Sequence, residues 1–303
     1  MKVVIAGGTG FLGTQLTASL RADGHDVRLL TRRPRASDEV AWSPADPAGA
    51  WTTTLEAADA VVNLAGESIE TGRWTVARKR AILESRLAAT RAIASAINRS
   101  GRPPRVLLNA SAVGVYGSTG AEPLDEASAP GSDFLASVCV EWEACARAAR
   151  TARVVVLRTG LVLDATGGAL PKLARPFRLC AGGRVGSGRQ YWSWIHVEDW
   201  VRLVRWAIAT GDVEGPVNLT APNPVTNAEF ARTLGRVLHR PSILPAPAFA
   251  LRLLLGEMAD ALVVGGQRVL PAVATARGFT FRYPNLEAAL RHIYGHRLVN
   301  PTR

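Results

Sequence analysis

The sequence predicts an α/β protein with a doubly wound parallel sheet, followed by a smaller C-terminal substrate lobe. Short apolar strand patterns alternate with amphipathic helix patterns through the first two-thirds of the 303 residues, which is typical of a parallel sheet covered by helices on both faces. The first 34 residues form a strand, a glycine-rich turn, a helix and a second strand, in that order. Hydrophobic residues make up 48% of the chain, which is ample for a core.

The opening unit is typical of a nucleotide-binding strand–turn–helix. The apolar run Val3–Ala6 predicts a buried parallel strand, and from residue 11 the apolar positions fall three to four apart, as on one helix face. Glycines between them allow a tight turn and a close approach of the backbone to a pyrophosphate at the helix N-terminus. A glycine-rich turn without a nucleotide is the alternative, and the order of the elements argues against it. The predicted cofactor contacts here are Gly7, Gly10, Phe11, Leu12 and Gly13.

Two arginines at the end of the second strand indicate which dinucleotide binds. An acidic residue at this place holds the ribose 2′-hydroxyl of NAD, whereas an arginine suits the 2′-phosphate of NADP. Arg32 and Arg33 follow the strand directly, and no acidic residue occurs between Asp26 and Asp38. We therefore predict NADP(H) as the cofactor, with solvated surface charge as the alternative explanation of the two arginines.

The net charge of +11 suggests a nucleic-acid partner, but the distribution of the charge argues against one. All but three of the 36 basic residues are arginine, and they are dispersed without interleaved aromatic residues. The three cysteines fit neither a zinc spacing nor a disulfide framework, and the chain begins directly with a strand. We expect a small-molecule substrate, a monomer or homodimer, no nucleic-acid or membrane partner, no metal and a cytoplasmic location.

The chain changes character at residue 222. Pro222 and Pro224 mark the passage from the last predicted sheet strand, 217–219, into a terminal lobe. We predict an NADP-binding domain at 1–221, with a lobe-forming loop at about 165–195, and a substrate lobe at 222–303. The other predicted elements are helices at 55–58, 74–99, 134–150, 170–179, 197–209, 227–238 and 249–262, and strands at 40–42, 60–64, 106–108 and 154–157.

Several segments resemble the extended branch of the short-chain dehydrogenase/reductase superfamily. They are the glycine turn at 7–13, Asn63–Gly66, Val115–Gly117 and Ile195–Asp199. Other segments are similar to an atypical branch of epimerase-family NAD(P)-binding oxidoreductases with a small C-terminal domain: Arg73-Trp74, Arg78-Lys79-Arg80, Ser85-Arg86, Trp142-Glu143, 218–222, Gly278-Phe279 and Arg282-Tyr283-Pro284.

The resemblance covers essentially the whole chain and carries several implications. It implies a Rossmann fold, NADP(H) as cofactor and, commonly, a cytoplasmic protein. Within Ile195–Asp199, His196 and Asp199 resemble a structural junction of the extended family. The implied cofactor contacts, besides the glycine turn, are Leu64, Ala65, Gly66, Arg86 and Ser111.

The acid–base pair of that superfamily is missing from this sequence. Its chemistry normally rests on Tyr-x-x-x-Lys, in which the lysine lowers the tyrosine pKa and the tyrosine exchanges a proton with the substrate. The residues four positions after the four tyrosines are Gly120, Ile195, Glu287 and Leu298, so no such pair exists. Alignment on Trp142-Glu143 puts Leu135 and Cys139 in its place, and we expect Cys139 to be a core residue.

Three polar residues near the predicted cofactor site remain as catalytic candidates. Ser111 either hydrogen-bonds substrate or cofactor, or satisfies local backbone groups. Tyr116 either donates a proton or supplies buried area with one hydrogen bond, and Glu67 either faces the substrate or caps the following turn. Two functions stay open: an NADP(H)-dependent oxidoreductase or epimerase with a non-standard proton donor, and a catalytically inactive NADP(H)-binding sensor or partner-binding protein.

Overall fold

The computed structural model describes the chain from residue 1 to residue 298, with side chains as far as residue 295. The strands are β1 (Lys2–Ala6), β2 (Asp26–Thr31), β3 (Glu39–Ala41), β4 (Ala60–Asn63), β5 (Val106–Ala112), β6 (Pro123–Leu124), β7 (Arg153–Thr159), β8 (Leu161–Leu163), β9 (Tyr191–Trp192), β10 (Trp194–His196), β11 (Gly215–Leu219), β12 (Val225–Thr226) and β13 (Arg268–Val269). The helices are α1 (Phe11–Ala22), α2 (Val76–Arg99), α3 (Phe134–Arg147), α4 (Leu170–Arg178), α5 (Val197–Ala209), α6 (Asn227–Leu238), α7 (Ala248–Leu255), α8 (Glu257–Ala259), α9 (Ala272–Ala276) and α10 (Leu286–Leu298).

Seven strands form one parallel sheet, in the order β11-β7-β5-β4-β1-β2-β3. The chain starts in the middle at β1, moves outward to β2 and β3, and then returns to β4 on the other side. The strand order therefore reverses between β1 and β4, and doubly wound sheets bind ligands in the crevice at that point. This arrangement confirms the predicted fold class.

Alternate residues of β1 enter two different cores, one on each face of the sheet. Val3 and Ile5 pack with residues of α1 and α5, whereas Val4 and Ala6 pack with residues of α2. All four side chains are fully buried, as expected for a strand that is covered on both faces. The helices on the two faces hold β1 rigidly and so fix the turn that follows it.

A second body of the protein combines C-terminal elements with the chain between β8 and β10. A separate apolar core joins α4 to α6 and α10. The chain then returns to the sheet domain, because β13 pairs with β6 and α9 packs beside β11. The boundary at residue 221 stays a prediction.

Two predicted helices differ from the structure by more than a few residues at their ends. The helix at 55–58 is wrong, because a 3₁₀-helix covers Ala50–Leu55 and Ala57 takes a positive φ of 51° just after it. The helix at 249–262 ends early, because Gly256 has φ 65° and ψ −142° and so interrupts the helical path. Among residues 1–298, no helix combines the length and the apolar character that crossing a bilayer requires.

Candidate nucleotide-binding site

The turn after β1 brings three backbone segments into close contact at the sheet edge. Gly7 has a φ of +78°, and a Cβ atom there would lie 2.8 Å from the carbonyl carbon of Leu64. A Cβ atom on Gly13 would lie 2.3 Å from the carbonyl oxygen of Gly7. Both positions therefore need glycine for the turn itself to form.

Gly10, in contrast, is exposed and has one close neighbour. A Cβ atom there would meet only the carbonyl oxygen of Gly7, at 3.3 Å. Gly10 is the N-cap of α1, and no side chain caps this helix. The side chains of Phe11 and Leu12 pack against the sheet core, so their backbone is what faces the turn. The uncapped helix end suits an anion, which the helix dipole also favours.

Arg32 and Arg33 are exposed just beyond the end of β2. A neighbouring arginine, Arg21, forms an ion pair with Asp38. Within the part of the chain whose side chains are described, neither Arg32 nor Arg33 forms an ion pair. Two uncommitted guanidinium groups at this strand end are well suited to an anionic ligand group.

The loop after β4 is fastened onto α2 and carries the predicted contacts 64–66. The backbone N–H of Glu67 donates to the Ser85 hydroxyl at 3.1 Å, and Arg86 Nη1 donates to the carbonyl oxygen of Glu67 at 3.0 Å. The Arg86 side chain also lies directly on Gly66, where a Cβ atom would come within 3.2 Å of its Cγ. Ser85 and Arg86, neighbours in the middle of α2, therefore both hold this loop.

The carboxylate of Glu67 is engaged by an arginine of α2. This carboxylate pairs with Arg78 in the first turn of α2, and about half of the Glu67 side chain is exposed. It therefore does not cap the following turn through its carboxylate. Whether it faces a substrate stays a prediction.

A buried amide network lies behind this loop and aligns the ends of β4 and β5. Asn63 Nδ2 donates to Asn109 Oδ1 at 2.7 Å and to Thr90 Oγ1 at 2.9 Å, while its Oδ1 accepts from the N–H of Ala65 at 3.1 Å. Trp142 Nε1 donates to the same Thr90 oxygen at 2.8 Å. Because these buried groups satisfy one another, they fix the two strand ends next to the loop.

Ser111 donates its hydroxyl proton to a buried carboxylate. Its Oγ lies 2.8 Å from Glu143 Oε1, and it is 4% exposed. Arg158 donates to both oxygens of the same carboxylate, Nε to Oε1 and Nη2 to Oε2, each at 2.9 Å. Burial alone would raise the pKa of Glu143, but the hydrogen bonds and charge of Arg158 outweigh it and hold the pKa below its usual value. Glu143 is therefore an ionised acceptor.

The hydroxyl of Tyr116 is also engaged within the protein. It donates to Asn218 Oδ1 at 2.8 Å and accepts from Arg158 Nη1 at 2.9 Å. The residue is 1% exposed, and burial raises the pKa of its phenol. Asn218 is held in turn by Glu126, whose Oε1 accepts from the Asn218 N–H at 2.9 Å. The catalytic roles of Ser111 and Tyr116 stay predictions, and both hydroxyls have partners in the protein.

The network of Glu143, Arg158, Glu126 and Asn218 was not assigned a role from the sequence. Arg158 follows four apolar residues of a strand, where a charge needs a buried partner. Glu143 lies on the face of α3 that also buries Ala136 and Cys139. A carboxylate on an apolar helix face and an arginine in a buried strand each need a partner of opposite charge. Together they could have predicted the Glu143–Arg158 ion pair from the sequence.

Apolar groups fill the positions of the missing tyrosine and lysine. Cys139 is 3% exposed, and burial raises the pKa of its thiol to about 11, so it is protonated at neutral pH and unsuited to nucleophilic attack. Leu135 lines a cavity of about 180 Å³ between α3 and the segment after α7. The cavity walls include apolar Trp74, Phe134 and Leu135, and polar Asp133, Asp260 and Gln267.

Asp199, predicted to lie at a junction, connects α5 to the segment before α10. Its two carboxylate oxygens accept the backbone N–H groups of Arg282 and Tyr283, each at 2.8 Å, and it is fully buried. The pairing explains why the C-terminal Arg282-Tyr283-Pro284 segment accompanies Asp199 in the sequence.

His196 forms a cluster with Glu198 and His292 whose potential metal-ligand atoms lie within 4.8 Å of one another. However, His196 Nδ1 accepts from the backbone N–H of Glu198 at 3.1 Å. The neutral ring therefore carries its proton on Nε2 and has no lone pair to offer a metal there. Burial lowers the pKa of His196 to about 4, so this neutral form is the one present at physiological pH.

The fold and the site define a dinucleotide-binding protein of the extended short-chain dehydrogenase/reductase class. Residues 3–220 match the sequence profile of the NAD dependent epimerase/dehydratase family, and residues 246–293 match that of a domain of unknown function, DUF1731. The chain belongs to the NAD dependent epimerase/dehydratase family, as the sequence resemblance predicted.

Relatives of similar length occur in bacteria and animals. The chain is 44% identical over 295 residues to the epimerase family protein Mb2239 of Mycobacterium bovis, covering 95% of this chain and 96% of that one. It is 37% identical over 297 residues to human epimerase family protein SDR39U1, covering 97% and 99%.

Solved structures extend the comparison to three dimensions. A crystal structure of human SDR39U1, isoform 2, with NADPH superposes with a TM-score of 0.90 at 37% identity, covering 97% of this chain and 99% of that one. A UDP-N-acetylglucosamine 4-epimerase of Bacillus cereus shares the fold, with a TM-score of 0.75 at 19% identity over 99% of each chain.

Proposed function

We propose that this protein binds NADP(H) in the crevice at the ends of β1, β2 and β4 and acts as an oxidoreductase on a small molecule. The observation that carries the proposal is the exposed position of Gly10 at the helix N-terminus. Backbone clashes at 2.8 and 2.3 Å explain glycine at positions 7 and 13, whereas a Cβ atom at position 10 would need only a small shift of the Gly7 carbonyl oxygen, 3.3 Å away. A pyrophosphate lying against the N-terminus of α1 accounts for glycine at position 10, because a side chain there would take its place.

The choice of NADP(H) over NAD(H) rests on Arg32 and Arg33. Both are exposed at the strand end that meets the adenosine ribose in this fold, and a 2′-phosphate would give them an anionic partner. The NADPH present in the human SDR39U1 structure supports the same choice. The fastened loop at 64–66 would lie along the other side of the cofactor, with Arg86 holding it in position.

When bound, the dinucleotide supplies or accepts a hydride. The cavity beside Leu135 would take the second reactant, and its volume of about 180 Å³ is below the ~300 Å³ at which pockets for drug-sized ligands begin. Trp74, Phe134 and Leu135 give it an apolar wall. We therefore propose a small, largely apolar carbonyl compound as the substrate, in preference to a nucleotide sugar.

Reduction of a carbonyl develops negative charge on oxygen, which a donor must stabilise or protonate. We propose Ser111 as that donor, with Tyr116 or Glu67 in an auxiliary role. Because the proton of Ser111 is committed to Glu143 and that of Tyr116 to Asn218, either hydroxyl must leave its partner to act. The reaction should therefore be slow.

The hydrogen bonds that Ser111 and Tyr116 donate within the protein favour a second candidate function, that of a catalytically inactive NADP(H)-binding sensor. A protein that only reports the cofactor needs the turn and the arginines but no free proton donor. The buried contacts of Ser111 and Tyr116 are the observation in its favour.

Oxidation of NADPH, followed by its absorbance in the presence of a panel of carbonyl compounds, separates the two functions. The oxidoreductase proposal expects turnover that falls about 10²–10³-fold in Ser111→Ala. Ser137→Ala, an exposed serine of α3, is the matched control and should keep the wild-type rate. Unchanged turnover in both Ser111→Ala and Tyr116→Phe would overturn their proposed roles, and tight NADPH binding without any turnover favours the sensor.

A pair of glycine variants tests the location of the cofactor. Gly10→Val should abolish NADPH binding and leave the fold intact, because Gly10 is exposed and a Cβ atom there meets one protein atom within 4 Å, the carbonyl oxygen of Gly7. Gly101→Val is the control, since a Cβ atom there meets nothing within 4 Å. Gly101 precedes β5 and so lies near the amino ends of the strands, away from the turn after β1. Normal NADPH binding by Gly10→Val would mean that the phosphates bind elsewhere.

A further inference from the structure

Two segments outside the proposed cofactor site lie side by side; together we call them the apolar platform, defined as residues 175–184 and 240–254. Backbone hydrogen bonds join them: Leu244 N–H donates to the Gly182 carbonyl at 3.1 Å, and Ala246 N–H donates to the Arg184 carbonyl at 2.8 Å. The platform is therefore a fixed feature of the fold. Its second segment consists of residues 240–247 and most of the short helix α7.

The platform exposes large apolar side chains to a degree unusual for a surface. No residue of α7 is buried. The exposed fractions are 79% for Ile243, 73% for Phe249, 78% for Leu253, 70% for Leu254 and 71% for Leu179. A cluster of this kind marks an interaction site, in contrast to single apolar residues scattered over a surface.

The charges of the platform are all positive. The sequence has no aspartate or glutamate from residue 165 to 197, nor from residue 230 to 256. Arg252 is paired with Asp260, which lies outside the platform. Among the described side chains, the arginines that form no ion pair here are Arg175, Arg178, Arg184 and Arg240.

We propose that the apolar platform binds the surface of an anionic phospholipid membrane. Apolar side chains that are 70–79% exposed project from the protein, as needed for insertion between lipid headgroups, whereas residues lining a groove for a peptide are partly covered. Arginines around them complement the negative surface potential of such a membrane. A second copy of the chain is disfavoured as the occupant, because a symmetric contact would bring two sets of arginines together.

The sequence-based expectation of no membrane partner rested on the absence of a spanning segment. That argument concerns crossing a bilayer and does not address a helix lying in the interface plane. Phe249, Leu253 and Leu254 would enter the headgroup region while the eight-residue α7 stays parallel to the membrane.

Co-sedimentation of the full chain with lipid vesicles tests the proposal. Vesicles of phosphatidylcholine mixed with phosphatidylglycerol should bind the protein, more weakly as salt rises, and vesicles of phosphatidylcholine alone should bind it less. Phe249→Ser and Leu253→Ser should each weaken binding by about tenfold, the effect of losing one inserted apolar side chain. Val76→Ser, which removes an 86% exposed apolar side chain from α2, is the matched control and should bind as the wild type does.

Three results would overturn the proposal. One is the absence of binding to the anionic vesicles, and another is equal binding by Leu253→Ser and Val76→Ser. The third is a concentration-dependent dimer, measured by light scattering, that Leu253→Ser abolishes, since this would assign the platform to a second copy of the chain. Both serine variants change exposed side chains, so the folded state should be retained and can be checked by circular dichroism.

Discussion

Replacing Glu143 by glutamine tests the buried network under the proposed site most sharply. The Glu143 and Arg158 side chains are only 2% and 11% exposed, and two hydrogen bonds of 2.9 Å join them. Glu143→Gln removes the negative charge, keeps the shape and leaves the Arg158 guanidinium without its counter-ion. Breaking a buried pair in this way costs about 3–5 kcal/mol of unfolding free energy. Because glutamine keeps one acceptor oxygen, we expect about 3 kcal/mol.

Urea unfolding followed by tryptophan fluorescence measures this loss. Glu141→Gln is the matched control, because Glu141 is an exposed residue two positions earlier on α3 and should cost less than about 0.5 kcal/mol. The pKa of Glu143 is lowered in the folded state, so its contribution is present above its ordinary pKa and is lost as pH falls through the lowered value. Equal midpoints for the two variants at neutral pH would refute the reasoning.

Three further predictions concern His196, Cys139 and Arg86. Burial lowers the pKa of His196 from 6.5 to about 4, so the unfolded chain binds more protons between these values and stability should fall by up to about 3 kcal/mol as pH drops through this range. His196→Asn keeps a side chain that can cap α5 and should remove that part of the pH dependence of urea unfolding. If the unfolding free energy of the variant falls between pH 7 and pH 4 as much as that of the wild type, this prediction is wrong. Cys139, whose buried thiol has a pKa of about 11, should react with iodoacetamide far more slowly than exposed Cys180 in the native protein, and equal rates by mass spectrometry would contradict the burial. Arg86→Met should weaken NADPH binding about tenfold or more, because it frees the loop at 66–67. The control is Arg91→Met, which changes an exposed arginine of the same helix. Equal NADPH affinities of the two variants would show that Arg86 does not support the cofactor site.

The sheet and its turn were predictable because local patterns determine them. A buried parallel strand needs a continuous apolar run, and a close approach such as that of Gly13 to Gly7 permits only glycine. These signals lie within a dozen residues of one another, so their order along the chain suffices. Arg32 and Arg33 were found in the same way, from their position after β2.

The environment of the predicted catalytic residues was not predictable in this way. Ser111 meets Glu143 across 32 positions in sequence, and Tyr116 meets Asn218 across 102. A hydroxyl at a strand end looks the same in sequence whether it faces a substrate or a buried carboxylate. The break in the helix after Leu255 was also missed, because apolar residues occur on both sides of Gly256 and the sequence does not reveal the positive φ of this glycine.

Calorimetric titration of NADPH and NADH tests the central claim, cofactor binding at the turn and the two arginines, most directly. Each charge-assisted hydrogen bond to the 2′-phosphate should contribute about 1.5–3 kcal/mol, or roughly 10- to 150-fold in preference for NADPH. Replacing Arg32 and Arg33 together by alanine should remove that preference with little effect on NADH, while the control Arg91→Ala should retain it. Equal affinities of the wild-type protein for the two cofactors would contradict the account.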